Sequence, residues 1–229
     1  MKLEKVTKPV GTTEKRWYDD ACGTALALEF VGERWSLLIM RELMFGPRRF
    51  GELKATLPGI SANVLAQRLD GLAEAGIARR RTLPSPASVQ VYDLTDWGRE
   101  SEPIFQEMGR WATRSMRHDP TLYLSPASAM MSLRTMIARI RGDEAMTVAF
   151  RFPRDAFVAT LSSDDLAIVR GEDDDADMTF ICDPATLARI VYGKWPIAAA
   201  EAEGALRFAG DRALADRFVA LFSLPDKIA

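Results

Sequence analysis

The stretch Gly59-Ile60-Ser61-Ala62-Asn63-Val64-Leu65-Ala66-Gln67-Arg68-Leu69 decides how the first half of this chain folds. Ser61 is an N-cap residue type, because its hydroxyl can accept from a free backbone N–H of the first helical turn. Ile60 before the cap and Leu65 at the fourth helical position have the spacing of a hydrophobic staple. Leu65, Leu69 and Leu72 recur at i, i+4 and i+7 and so share one buried face. Ser61, Asn63, Gln67 and Arg68 are left to look outward. Hydroxyl, amide and guanidinium groups reach phosphates and base edges in a DNA major groove. The expectation is a short helix inserted into DNA, with the rest of the chain positioning or controlling it.

The flanking elements complete a motif. Residues 18–30 read as a helix with Ala21, Ala25, Leu26 and Leu28 as its apolar surface, broken at Gly32. Residues 33–44 are a second helix, with Trp35, Leu38, Ile39 and Leu43 near helical spacing, ended by Gly46-Pro47. Residues 50–57 form a third, stopped by Pro58-Gly59, and the helix quoted above runs to about Ala75 with Gly76 as its stop. The period then falls to two. Residues 77–81 and 89–94 alternate on either side of a Pro- and Ser-rich loop, residues 82–88, the pattern of a β-hairpin. Thr95 caps a further helix, with Asp96 well placed against its dipole and Ile104, Met108, Trp111 and Ser115 along one face. A helix-turn-helix followed by a hairpin is a winged helix.

The residues from Cys22 to Trp111 resemble the HxlR family of bacterial transcription regulators. The resemblance rests on Cys22 at the head of the first helix, Gly32-x-Arg34-Trp35, Leu38-x-x-x-Arg41-Glu42-Leu43 and Gly46-Pro47-Arg48-Arg49-Phe50-x-Glu52-Leu53. It continues through Pro58-Gly59-Ile60-Ser61, Leu65-x-x-Arg68-Leu69 and Tyr92-x-Leu94-Thr95-x-x-Gly98. One departure is Gly23, where the family usually has proline. The resemblance implies a homodimer on a pseudo-palindromic double-stranded operator. Ser61, Asn63, Gln67 and Arg68 would then face the major groove. Arg48, Arg49 and Lys54 would flank the turn, Arg79 and Arg80 would lead into the wing, and Ser85 and Ser88 would sit on it; alternation makes Arg81 the weakest of its run. The other reading of that run is a solvated strand. Trp35 and Trp111 read as core or dimer-interface residues, since the first and last helices have more apolar surface than one wing covers.

The chain of 229 residues carries 30 Lys+Arg against 32 Asp+Glu, a net charge of −2, so it is not globally basic. Residues 1–117 hold 18 basic against 15 acidic residues and residues 118–229 hold 12 against 17, which supports a two-part organisation. The expected layout is an arm over residues 1–18, a DNA-binding and dimerisation domain over residues 19–117, and a second domain over residues 126–229, beyond the Pro120-to-Pro126 boundary. The N-terminus lacks an apolar signal core and no run approaches membrane-spanning length. Two cysteines fit a reduced compartment, so the expected location is cytoplasmic without membrane contact. His118 is the sole histidine, which argues against His-based triads and His-rich metal sites, and no cofactor or metal is expected.

Beyond residue 126 the pattern is α+β. Residues 127–140 read as a helix; Met146, Val148, Phe150 and Phe152 alternate with Thr147, Ala149 and Arg151 in a strand. Residues 157–161, 166–170 and 178–182 are further strands, with a turn at Ser162-Ser163-Asp164-Asp165. Asp183-Pro184 opens a helix as cap then proline, residues 206–208 are a short strand, and Asp211 caps the last helix. This half resembles sterol-carrier-protein-type domains, through its strand–Asp–Pro–helix turn and Gly204-x-Leu206-x-x-x-Gly210-Asp211. The resemblance implies a mixed sheet with helices over one face and an apolar tunnel for lipid or acyl ligands. Phe150, Phe152, Leu187, Ile190, Trp195, Phe208, Leu214 and Phe218 form either an ordinary core or the lining of such a pocket, with Trp195 at its rim. Glu172-Asp173-Asp174-Asp175 has the wrong spacing for a Ca²⁺ loop and reads as a hairpin tip.

The functional expectation is a dimeric transcriptional repressor, not an enzyme, controlled by an apolar small-molecule effector in the second domain. Two alternatives stand beside it. One is a lipid or acyl carrier, or an enzyme, with the winged helix as a dimerisation unit. The other is a regulator that senses through Cys22, placed near a helix start where the dipole lowers a thiol pKa; against that stands a buried, inert cysteine.

Overall fold

The computed structural model describes residues 18–86, 88–138, 145–163 and 165–228. The expected arm falls outside them except for Tyr18, as do Ala87 of the wing loop, Ile140 and Asp164. Four helices come first: α1 (Gly23–Val31), α2 (Ser36–Leu43), α3 (Phe50–Thr56) and α4 (Ala62–Glu74). The first begins later than the sequence pattern suggests, with Cys22 as its N-cap residue. Ser61 caps α4, accepting from Val64 N–H at 3.2 Å. Leu65, Leu69 and Leu72 are all but inaccessible, each worth about 1.5–3 kcal/mol of burial. At the far end Gly76 takes φ +73°, and Ile77 N–H reaches back to Leu72 O at 2.9 Å while Gly76 N–H bonds Ala73 O at 3.0 Å. That pair of bonds is a Schellman stop, which needs the left-handed residue that glycine supplies.

The wing is β1 (Ala78–Thr82) paired antiparallel with β2 (Gln90–Leu94). The expected alternation in its first strand is absent: only Ala78 is buried, and the four residues after it are exposed. Arg48 adds a bridge to β2 through two backbone bonds with Tyr92, of 2.9 and 2.8 Å. The single helix expected after Thr95 is two, α5 (Asp96–Arg99) and α6 (Glu102–Ala112). Pro103 in the first turn of α6 has no N–H to continue the earlier ladder, so the chain restarts there.

The second half opens with α7 (Pro126–Met136), shorter than its pattern, and continues through β3 (Met146–Phe152), β4 (Asp155–Leu161), β5 (Leu166–Arg170) and β6 (Met178–Ile181). It closes with α8 (Pro184–Val191), α9 (Ile197–Ala202), β7 (Arg207–Gly210) and α10 (Arg212–Ala220). The helix α9 was not anticipated, since its Ala-rich run follows Trp195-Pro196 in a stretch that reads as loop. Strand order is β5-β4-β3-β6-β7, with β3 and β6 parallel and every other pair antiparallel. The acidic run at residues 172–175 is therefore no hairpin tip: β6 lies beside β3, and the run begins a crossover.

Register places Phe208 opposite Phe180, Phe180 opposite Phe150, Phe150 opposite Phe157, and Phe157 opposite Arg170. Directly opposed residues share a face, so an aromatic row crosses the sheet and ends in a guanidinium. The two halves meet at that end. The Phe157 ring meets Phe45 edge-on at 5.4 Å, and Arg170 donates to Phe45 O at 2.9 Å. Buried apolar residues of both halves form one cluster.

Candidate nucleic-acid interface

The outward side of α4 is the first element of the site. Ser61, Asn63 and Gln67 are exposed there, on a helix whose opposite side is locked into the core. Ser61 already spends one lone pair on its cap. Arg68 stands apart from the other three: it pairs with Glu33 at 2.8 Å and donates to Arg34 O at 3.3 Å. Its guanidinium is engaged toward the turn between α1 and α2, unlike the other three side chains, which are open on α4.

The basic residues around the turn divide. Arg49 is exposed at the N-terminus of α3, where its N–H is taken by Glu52 at 2.8 Å, and Lys54 on the same helix is half-buried. Arg48 is buried and pairs with Asp155 of β4 at 3.1 Å. It belongs to the seam between the halves, not to the DNA face, contrary to the sequence expectation. Asp155 also takes Arg170 at 2.9 Å, and burial pulls the Arg170 pKa down while that carboxylate pushes it back up. Nearby, the Glu42 carboxylate, inaccessible in the last turn of α2, accepts from Ser125 Oγ at 2.6 Å and Arg41 at 2.9 Å.

On the wing, Arg79 and Arg81 converge on one buried carboxylate. Asp93 lies 3.9 Å from Arg79, 3.1 Å from Arg81 and 2.6 Å from Arg99. Arg80 points to the other face and stacks over Tyr92 at 5.7 Å. All three arginines of the run stay exposed, as do Ser85 and Ser88. Asp93 is a lone carboxylate in a largely buried strand facing the Arg79–Arg81 run, and that carboxylate was the one signal for the cluster.

The exposed apolar helices and the two other candidate sites are equally plain. Along α6, Ile104, Met108 and Trp111 are 48, 47 and 76% exposed, and Leu26 and Leu28 of α1 are close to half exposed. Trp35 is half-buried against the core. Cys22 is exposed, not buried, and the backbone N–H groups of Thr24 and Ala25 hold its thiol pKa below the ordinary value. Cys182 is buried, which pushes its thiol up to about 12. Of the eight candidate pocket residues, Phe150, Phe152, Leu187, Ile190 and Phe218 are buried, with Phe150 against Phe218 at 6.2 Å. Trp195, Phe208 and Leu214 are half-buried, and Arg189 covers the Trp195 ring at 3.7 Å. Among the described residues no group of His, Cys, Asp and Glu is placed to hold a metal, and no helix is long and apolar enough to cross a membrane.

Comparison with known proteins matches two parts of the chain to two different families. The HxlR-like helix-turn-helix family matches residues 30–120, and the SCP-2 sterol transfer family matches residues 134–223. The HTH-type transcriptional regulator YodB of Bacillus subtilis is 42% identical over 86 residues, which are 38% of this chain and 77% of that protein. The uncharacterized HTH-type transcriptional regulator Rv3095 of Mycobacterium tuberculosis is 49% identical over 85 residues, 37% of this chain and 53% of the relative. A solved structure of YodB in its reduced form is 38% identical, covers 43% of this chain and 98% of its own, and superposes with a TM-score of 0.39. An α4 with an open polar side, a wing behind it and relatives of this similarity have one reading: the chain belongs to the HxlR-like helix-turn-helix family, and its C-terminal half matches the SCP-2 family.

Proposed function

We propose that this protein is a dimeric transcriptional repressor, not an enzyme, that places α4 in the major groove of an operator. The observation that carries the reading is the exposure of Ser61, Asn63 and Gln67 on a helix whose other side is fixed by Leu65, Leu69 and Leu72. Amide side chains on a rigid rod can pair with base edges, while Arg49, Lys54, Arg79, Arg80, Ser85 and Ser88 reach the backbone beside it. The open apolar surfaces of α1 and α6 support pairing with a second copy, which would space two reading helices about one DNA turn apart. The domain limits are those of the sequence reading, residues 19–117 for DNA and dimer contacts and residues 126–229 for an apolar effector. Trp195, Phe208 and Leu214, the half-buried members of the aromatic set, are the entry points for that effector. The protein works in the cytoplasm, where its operator lies.

The test is an operator enriched from random duplexes and titrated by fluorescence anisotropy. Asn63→Ala and Gln67→Ala should each weaken it by about 1–3 kcal/mol, the value of one bidentate base contact, with thermal stability unchanged. Wild-type affinity in both variants would rule α4 out as the reading helix. A second reading follows from the exposed, acidified thiol of Cys22: oxidation there weakens operator binding. Cys22→Ser would then abolish the response to peroxide and leave DNA affinity intact; an undiminished response would refute it.

A further inference from the structure

The seam between the two halves holds a cleft of about 250 Å³ that neither the DNA face nor the aromatic core uses. Its walls are flat and apolar: Pro126, Pro153 and Pro184, with Tyr123 beside them. Its charged groups are Arg48, Arg154 and Asp155, with the Thr56 hydroxyl beside them. Arg48 has a side chain only 9% exposed; Asp155 engages its Nη2, and its Nε makes no hydrogen bond, with the Glu52 carboxylate 3.9 Å away. A buried guanidinium donor left open is costly, and a ligand acceptor is one way to satisfy it. Arg154 is exposed and makes no ion pair among the described residues. The helices α7 and α8 both begin at this cleft, since Pro126 and Pro184 are their first residues. Helix starts carry partial positive charge. Both starts are already answered: Asp183 caps α8, and Ser125, the cap of α7, donates to the Glu42 carboxylate at 2.6 Å.

We infer that this cleft binds a small planar carboxylate, its anionic head between Arg48 and Arg154 and its ring against the three prolines. Arg48, Arg154 and, across Asp155, Arg170 bring three positive charges to this seam against Asp155 and Glu52. The volume lies below the roughly 300–1,000 Å³ of pockets for drug-sized ligands, which suits an occupant of one ring. The site has a direct line to DNA. Arg48, which would grip the ligand by its side chain, is bonded by its backbone to Tyr92 of the wing. This last step rests on the regulator reading given above; the binding itself does not.

The experiment uses the full chain and benzoate as probe, with benzamide as the uncharged counterpart, followed by ligand-observed NMR and calorimetry. Benzoate should bind and benzamide should bind less well. Arg154→Gln, at an exposed position that leaves the seam intact, should weaken benzoate about tenfold, the effect of losing one charge-assisted hydrogen bond. Arg212→Gln, on α10 outside the cleft, should leave it unchanged. No benzoate binding, or equal binding in Arg154→Gln, overturns the site. Operator binding is read in parallel. A chain that binds benzoate but no DNA keeps the site and loses the regulator reading, and one that binds DNA but no benzoate loses the site alone.

Discussion

Removing Asp155 should cost more than removing Arg48, and the reason is geometric. The carboxylate is 5% exposed and holds two guanidiniums, Arg48 at 3.1 Å and Arg170 at 2.9 Å. Asp155→Ala leaves both cations facing each other, with only the half-exposed Glu52 carboxylate, 3.9 Å from Arg48 Nε, as counter-charge. Breaking a buried pair from one side costs about 3–5 kcal/mol, because the remaining charge keeps its desolvation penalty. Arg48→Met leaves Asp155 still paired with Arg170 and fills the space with an apolar side chain of similar length. Its cost is nearer the about 1.5–3 kcal/mol of one charge-assisted hydrogen bond. The assay is urea unfolding at fixed protein concentration, followed by circular dichroism and by tryptophan emission. With a slope of about 2–3 kcal/mol per molar, Asp155→Ala should lower the midpoint by roughly 1–2 M and Arg48→Met by less. Because one apolar cluster spans both halves, the two signals should move together in a single transition. If Arg48→Met proved the more damaging of the two, or if Asp155→Ala cost under about 1 kcal/mol, the seam would be wet and the pairing inconsequential.

Three other outcomes follow from the same geometry. Trp111→Glu places a charge on the most exposed aromatic of α6 and should weaken self-association by at least about 2 kcal/mol in sedimentation equilibrium, with operator affinity falling in step. At pH 8 iodoacetamide should label Cys22 quickly and Cys182 hardly at all: the Cys22 pKa lies below its ordinary value, so thiolate is present, while Cys182 titrates at about 12. Arg80→Ala should reduce the salt dependence of operator binding by about one unit of slope, whereas Arg48→Met, with its charge turned into the seam, should leave that slope as it is.

Local signals made much of this structure readable from sequence. The cap at Ser61, the leucine spacing of α4 and the stop at Gly76 each act within a few residues, so the chain states them directly. The same holds for Asp183 before α8, whose carboxylate takes Thr186 N–H at 2.7 Å, and for Asp211 before α10. Misreadings came where a distant partner decides. Arg48 looks like its neighbour Arg49 until Asp155 arrives from the other half. Arg68 has the helical position of a reading residue, but Glu33 claims it. The break between α5 and α6 leaves the apolar period undisturbed, so only Pro103 hints at it. The acidic run after β5 reads as a tip because strand pattern carries no information about which strand is the neighbour. Exposure of Cys22 depends on what covers α1, which periodicity does not record.

The aromatic row across the sheet has a bearing on how such proteins can be recombined. It runs from Phe208 to Phe157 and is continued by Phe45, from the half that resembles free-standing regulators. Glu42, Phe45 and Arg48 all lie within the stretch shared with those shorter relatives, yet their counterparts sit in the added half. The N-terminal half is thus no interchangeable cartridge. A chimera that grafts this sheet onto another member of the family has to carry those three positions with it, or it will join two folded pieces by nothing more than a tether.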